Sequence, residues 1–293
     1  MERRGLIFFL IGPTVFILIA LALFPILAVI GLSLQRNLPI FDISHFVGLD
    51  NYFFLMGDPR FWNSLKNTVY FTLVSVALEI SLGLGIAILL DQAFTGRGWV
   101  RALILIPWAI PTVVSARMWE WLYNGEFGLI NFFLQQTQVT HQPINWLGDP
   151  FWAIHGAILM EVWKTTPFAA ILLMAGLQTI PRDLYHAAKV DGANAWAIFR
   201  YIILPSLKPI ILVVLLFRTL DAFRVFDAIY VLTGGGPANT TETLSVYAYK
   251  VLFQTLQFGY GSTIAVVTFM CVGLISIIYL KLLGKDYWQR LLT

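Results

Sequence analysis

Residues 186–205 read HAAKVDGANAWAIFRYIILP. The stretch is small, polar and turn-forming, and long apolar runs lie on both sides of it. Just upstream, Pro181 and Asp183 open a short helix, because proline suits a first turn and an aspartate oxygen satisfies free N–H groups there. Gly192 permits a sharp turn that a residue with a Cβ resists. Asp191 is the expected cap of a second helix over 195–204, and Pro205 is expected to break it. The prediction is two short helices at an angle, a knob presented to water. Ala187, Ala188 and Ala193 are small, so a partner can approach closely. The alternative is an amphipathic connector lying on a membrane surface.

Outward from this stretch the chain is apolar. It is 58% hydrophobic and 12% charged, against about 25% charged in soluble domains. Roughly 20 apolar residues cross the hydrocarbon of a bilayer. Runs of that kind occupy residues 6–34, 68–90, 102–119, 151–177, 210–232 and 264–283. The expectation is an all-α integral membrane protein with six transmembrane helices, one integral domain over 1–293, and a polar loop over about 178–206 between the fourth and fifth spans. The first run follows Arg3 and Arg4 but is too long for a signal-peptide core, so it reads as an uncleaved span. Cys271 is the single cysteine and excludes an intramolecular disulfide. A net charge of +3 is no sign of a nucleic-acid partner.

Cations in short loops set orientation. With the N-terminus inside, eleven fall in inner segments: Arg3, Arg4, Arg97, Arg101, Arg182, Lys189, Arg200, Lys208, Lys281, Lys285 and Arg290. Only four, Arg36, Arg60, Lys66 and Lys250, fall outside. Both termini and the 178–206 loop are therefore expected in the cytoplasm of a multi-pass plasma (inner) membrane protein. The outer loops, 35–66, 123–150 and 233–258, carry or border Trp62, Tyr123, Trp146 and Trp152. These read first as an interfacial aromatic belt, with a docking surface as the alternative.

Charges within spans are costly and face a cavity, a partner charge or another subunit. The fifth run holds Arg218, Asp221, Arg224 and Asp227 at steps of three. Neighbours in that series can pair, but on a regular helix Arg218 and Asp227 end on opposite faces. All four meet one pocket only if the helix is kinked or unwound; otherwise they form a self-neutralising ladder. The fourth run holds EVWKTTPF (161–168). There Glu161 and Lys164 can pair, Pro167 permits a kink, Thr165 and Thr166 can satisfy freed backbone groups, and Trp163 can serve as a sugar platform. Glu79 has no cation one turn away and needs a partner from another helix, another subunit or water. Arg117 and Glu120 read as an interfacial pair. Glu79, Trp163, Lys164, Thr165, Arg218, Asp221, Arg224 and Asp227 are the substrate-path candidates.

No phosphate-binding G-x-x-x-x-G-K-[ST] occurs. Cys271 and the four histidines have no metal-ligand spacing, and no nucleophile–base pair stands at recognisable spacing. Neither catalysis nor a cofactor is expected of this chain.

The 186–205 stretch resembles the cytoplasmic coupling loop, the EAA motif, of permease subunits of ATP-binding-cassette importers. That pattern is Glu-Ala-Ala, a Gly after three more residues, then a helix ending Ile-x-Leu-Pro. Ala187, Ala188, Asp191, Gly192, Ala193, Phe199, Ile202, Leu204 and Pro205 match it. His186 stands where the family has Glu, which leaves the missing interaction to Asp183, Asp191 or a partner. LTGGGP (232–237) is similar to the outer end of the fifth span in sugar-importer permeases. The chain looks most like the first permease of the pair in maltose- and trehalose-type importers, without the large periplasmic domain of the enteric maltose subunit, and EVWKTTPF and LLFRTLDAFRVFDAIYVLTGG look especially like trehalose importer permeases. The resemblance implies a second permease, two nucleotide-binding ATPase subunits that hold ATP and Mg, an external binding protein, and the lipid bilayer. It implies a disaccharide substrate. An ion-coupled secondary transporter, an importer of a glycerol phosphodiester or oligosaccharide, and a non-transporting scaffold are the rivals.

Overall fold

A computed structural model of the chain describes residues 2–291, with side chains over residues 10–282. Arg3, Arg4, Lys285 and Arg290, used above for orientation, lie outside the described side chains. In order the elements are helix α1 (Leu10–Ser33), strands β1 (Gln35–Leu38) and β2 (Ile43–Phe46), α2 (Asp50–Met56), α3 (Pro59–Asp91), α4 (Arg97–Ala109), α5 (Thr112–Leu122), α6 (Leu129–Gln136), α7 (Pro150–Leu177), α8 (Arg182–Val190), α9 (Ala195–Phe223), α10 (Asp227–Leu232), α11 (Leu244–Tyr249) and α12 (Phe258–Leu291). Five of these, α1, α3, α7, α9 and α12, are long and apolar enough to cross a membrane, and α4 with α5 makes a sixth if the bent pair is one span.

Two of the expected spans are corrected. Residues 102–119 are not one straight helix: α4 and α5 meet at 92°. Pro111 lacks an N–H, and the ring forces Ile110 into extended backbone, φ −73 and ψ 132, as a residue before proline prefers. The fifth span begins at Ala195 and stops at Phe223, not 210–232. Pro205 does not break it, because a π turn over Phe199–Ile203 re-registers the ladder just upstream, with Leu204 N–H bonding Phe199 O. At the other end Arg224 to Phe226 leave the helix before α10 starts. Irregular backbone at membrane depth is tolerated where it lines a cavity. The cap of α9 is also corrected: Asn194, not Asp191, accepts from Ala197 N at 2.8 Å, and Asp191 closes α8 instead.

The chain divides into two compact units. One comprises the chain up to Trp62 with Leu244–Cys271. Its α1 is lined with exposed aliphatic side chains. The β1–β2 hairpin, an unexpected element in an otherwise helical chain, turns on Asp42 at φ 53. Asn51 fixes hairpin to helix by donating to Ser33 O and Gln35 O, each at 2.9 Å. Behind it, Tyr247 and Tyr260 both donate to Asp58 Oδ2. Burial alone pushes the Asp58 carboxyl up, but the two phenols and the N–H groups of Arg60 and Phe61 outweigh it and hold the group below its ordinary value. A depressed carboxylate contributes stability above its unfolded pKa and loses it as pH falls through the folded value. The thermal midpoint of the purified protein should therefore carry an acid limb below about pH 4 that Asp58→Asn makes shallower. An identical limb in the variant would refute the role.

The second unit comprises Asn63–Thr243 and the chain from Val272 on. Its core is Ala87, Ala169, Leu173, Leu177, Ile203, Leu207 and Val214, from α3, α7 and α9, with Ile180 from the connection after α7. Lipid is as apolar as leucine, so association here rests on close van der Waals packing and small residues. Gly83 shows it: a Cβ there would sit 3.0 Å from Ala169 Cβ and 3.1 Å from Ala170 N. This closeness lets α3 and α7 bring their acidic residues to α9.

Candidate functional site

Arg218 of α9 is the hub of the second unit. Its Nε donates to Glu79 Oε2 of α3 at 2.6 Å, and Nη2 donates to Glu79 Oε1 at 3.2 Å and to Glu161 Oε1 of α7 at 3.1 Å. Nη1 lies 3.5 Å from Asp221 Oδ2. Glu79, Glu161 and Arg218 are all buried. The planar guanidinium fork meets a carboxylate with two parallel bonds, which a lysine cannot do. Glu79 thus draws its partner from another helix, 139 residues away in sequence. Glu161 pairs with Arg218 rather than with Lys164. Lys164 is only 8% exposed and, among the described residues, makes no hydrogen bond or ion pair within 4 Å.

Beside the hub lies a cavity of about 370 Å³. Its wall includes Glu161, Lys164, Thr165, Arg218, Asp221, Arg224 and Asp227, so six of the eight sequence candidates share it with Glu161. The break after Phe223 is the reason: it frees Arg224 and Asp227 from helical spacing. Asp221 and Arg224 pair at 2.7 Å, and Thr165 Oγ1 donates to Glu161 O at 2.7 Å. Glu79 stands behind Arg218, outside the wall. Trp163 is also outside it and meets Trp119 edge-on, ring centroids 5.7 Å apart. The sequence reading missed Trp108, Thr112 and Phe226, which do line the cavity. Trp108 sits next to Pro107 and Phe226 in the helix break, and those breakers were the available signal. The wall carries three cationic side chains and three carboxylates, with Glu79 held against Arg218 behind it, so it offers both donors and acceptors with no dominant charge. Such a wall suits an uncharged, hydroxyl-rich solute better than an ion of either sign. Among the described residues no group of three His, Cys, Asp or Glu could hold a metal.

The 178–206 loop has the expected turn with a different second helix. Gly192 adopts φ 78, and its N–H bonds Lys189 O at 3.1 Å while Ala193 N–H bonds Ala188 O at 2.8 Å. His186, Ala187, Asp191, Gly192 and Pro205 are exposed; Ala188, Ala193, Phe199 and Leu204 are half-buried. Tyr185, Ile198, Phe199 and Ile202 pack on the α3–α7–α9 core. Burial, then the Asp91 charge, pushes the Tyr185 phenol up. The knob is thus rooted in the core that carries the Arg218 hub. Arg117 and Glu120, away from both, pair at 2.6 Å on an exposed face.

A helical membrane chain with a polar cavity at a span break and a rooted, projecting loop has the parts of a solute permease. Residues 79–289 match the family of binding-protein-dependent transport system inner membrane components, and the chain belongs to that family. It is a transport subunit of the inner membrane. It is 44% identical over 274 residues to the trehalose/maltose transport system permease protein MalF of Thermococcus litoralis, covering 94% of this chain and 92% of that one. It is 43% identical to the trehalose transport system permease protein SugA of Mycobacterium tuberculosis, covering 97% and 90%. In fold it is similar to a chain of a bacterial alginate ABC transporter solved with a pentasaccharide-bound periplasmic protein, with a TM-score of 0.82 at 21% identity, covering 95% and 93%.

Proposed function

We propose that this chain is the first permease of a pair in an ATP-driven disaccharide importer, with trehalose or maltose as substrate. The observation that carries the reading is the charge-balanced cavity at the break after Phe223. The names of the two relatives, similar over nearly their full length, support the substrate class. In this reading the bent α4–α5 pair is one span of six, both termini are cytoplasmic, and residues 1–293 act as one permease domain. Glu161, Lys164, Thr165, Arg218, Asp221, Arg224 and Asp227 line the path, with Trp108 and Phe226 as faces for sugar rings. Glu79 holds Arg218, and Trp163, next to Lys164 in sequence, packs edge-on against Trp119. A binding protein delivers sugar outside. Two ATPase subunits bind ATP and Mg inside, and each permease's loop, here His186, Ala187, Ala188, Asp191, Gly192, Ala193, Phe199, Leu204 and Pro205, sits on one of them. Their closure rotates the permeases between inward- and outward-facing states, a rigid-body switch.

Uptake into proteoliposomes of the reconstituted transporter tests the drive. Trehalose or maltose should accumulate only with luminal ATP; accumulation on a sodium or proton gradient without it would overturn the reading. Lys164 tests the path. An ammonium with no ion pair in the cavity is available to a hydroxyl, so Lys164→Met should cut uptake at least about tenfold, roughly one charged hydrogen bond, with no loss of thermal stability. Unchanged uptake removes Lys164 from the path.

A further inference from the structure

The first unit contains a second cavity, of about 680 Å³, that the permease reading leaves without a role. Its volume lies within the roughly 300–1,000 Å³ of small-molecule sites. Three elements build it. In the hairpin, Arg36 and His45 are directly paired across β1 and β2, so their side chains share a face. In α2, Asp50 and Phe54 are one turn apart and share a face likewise. Gln257 precedes α12, and Phe41 closes the hairpin end. Arg36, His45, Asp50 and Gln257 have no side-chain partner among the described residues. Phe54 meets Tyr260, also in the wall, edge-on at 5.0 Å.

The frame around these groups is pinned. Besides the two Asn51 bonds, Val47 N–H bonds Leu34 O at 2.9 Å, and Thr263 Oγ1 donates to Ser33 O at 3.2 Å. The uncommitted groups are one cation, one carboxylate, an amide and an imidazole. They supply both donors and acceptors without a dominant charge. The aromatic rings supply apolar faces with a defined geometry. Planar polar groups around an aromatic platform, held open by a rigid frame, match a neutral saccharide: hydroxyls to the polar rim, C–H face to the ring.

We propose that this cavity is a second saccharide-binding subsite, separate from the membrane cavity, that holds sugar before it enters the path. The proposal rests on the sugar-permease reading, which places the hairpin after α1 and the start of α12 on the outer side.

The test uses the whole transporter in nanodiscs. Saturation-transfer NMR with trehalose and with maltose compares wild type, Arg36→Ala/Asp50→Ala, the shape-preserving Asp50→Asn, and Lys164→Met. The double variant should lose part of the sugar signal, and Lys164→Met a different part. In ATP-driven uptake the double variant should raise KM about tenfold with kcat unchanged, as loss of uniform binding does, and Asp50→Asn should fall between. Wild-type signal and KM in both cavity variants would overturn the subsite while leaving the permease reading intact. Weakened binding-protein affinity with unchanged sugar affinity would overturn it too, and assign the cavity to docking. A transporter that neither binds nor takes up any sugar would overturn both.

Discussion

Arg218→Met will cost the folded protein about 3–5 kcal/mol, the usual penalty for stripping the partner from buried charges. Glu79 and Glu161 both reach the same guanidinium, so the variant leaves two carboxylates facing each other without a countercharge at membrane depth. The expected result is a large fall in the detergent unfolding midpoint and loss of uptake. Arg218→Lys should recover only part of it, because an ammonium cannot reproduce the fork that joins α3 to α7. Glu79→Gln added to Arg218→Met should restore stability by removing one orphaned charge, while uptake stays low. If Arg218→Met unfolds at the wild-type midpoint, the hub is not what joins the three helices.

Gly192→Pro will abolish ATP-driven uptake while leaving the fold in place. Proline fixes φ near −65°, and position 192 sits at φ 78 with its N–H bonded to Lys189 O. The variant therefore has to re-form the turn between α8 and α9. The damage is local, because Tyr185, Ile198, Phe199 and Ile202 still root both helices in the core. The unfolding midpoint should stay near wild type while uptake falls to background. Gly192→Ala, which keeps the N–H and carries only left-handed strain of about 1–2 kcal/mol, should retain part of it. Normal uptake in Gly192→Pro would mean that the loop does not couple.

The spans were legible because length and apolarity alone mark a membrane helix. Their bends were legible in principle: Pro107 and Pro111 stand inside the third run, but an apolar count passes over them. The hairpin was not legible, since its turn uses Asp42 at positive φ with no Asn-Gly or Asp-Gly pair to signal it. Within the site, the charged residues could be named one by one because charge inside a span is rare. Which of them meet could not: Glu79 and Arg218 are brought together by the α3–α7–α9 packing, and the break after Phe223 decides that Arg224 and Asp227 share a cavity with Arg218. Trp163 shows the same limit. It sits among polar residues in sequence, yet its helix face turns it to Trp119, and Trp108 from another span takes the place beside the cavity.

The most direct measurement of the central claim is ATPase activity of the complete reconstituted transporter with its binding protein, across a panel of sugars, amino acids and glycerol phosphodiesters. The account predicts stimulation by a disaccharide, with trehalose and maltose the first candidates, and none by the other classes. Stimulation by an amino acid, or an ATPase rate that no solute alters, would contradict it.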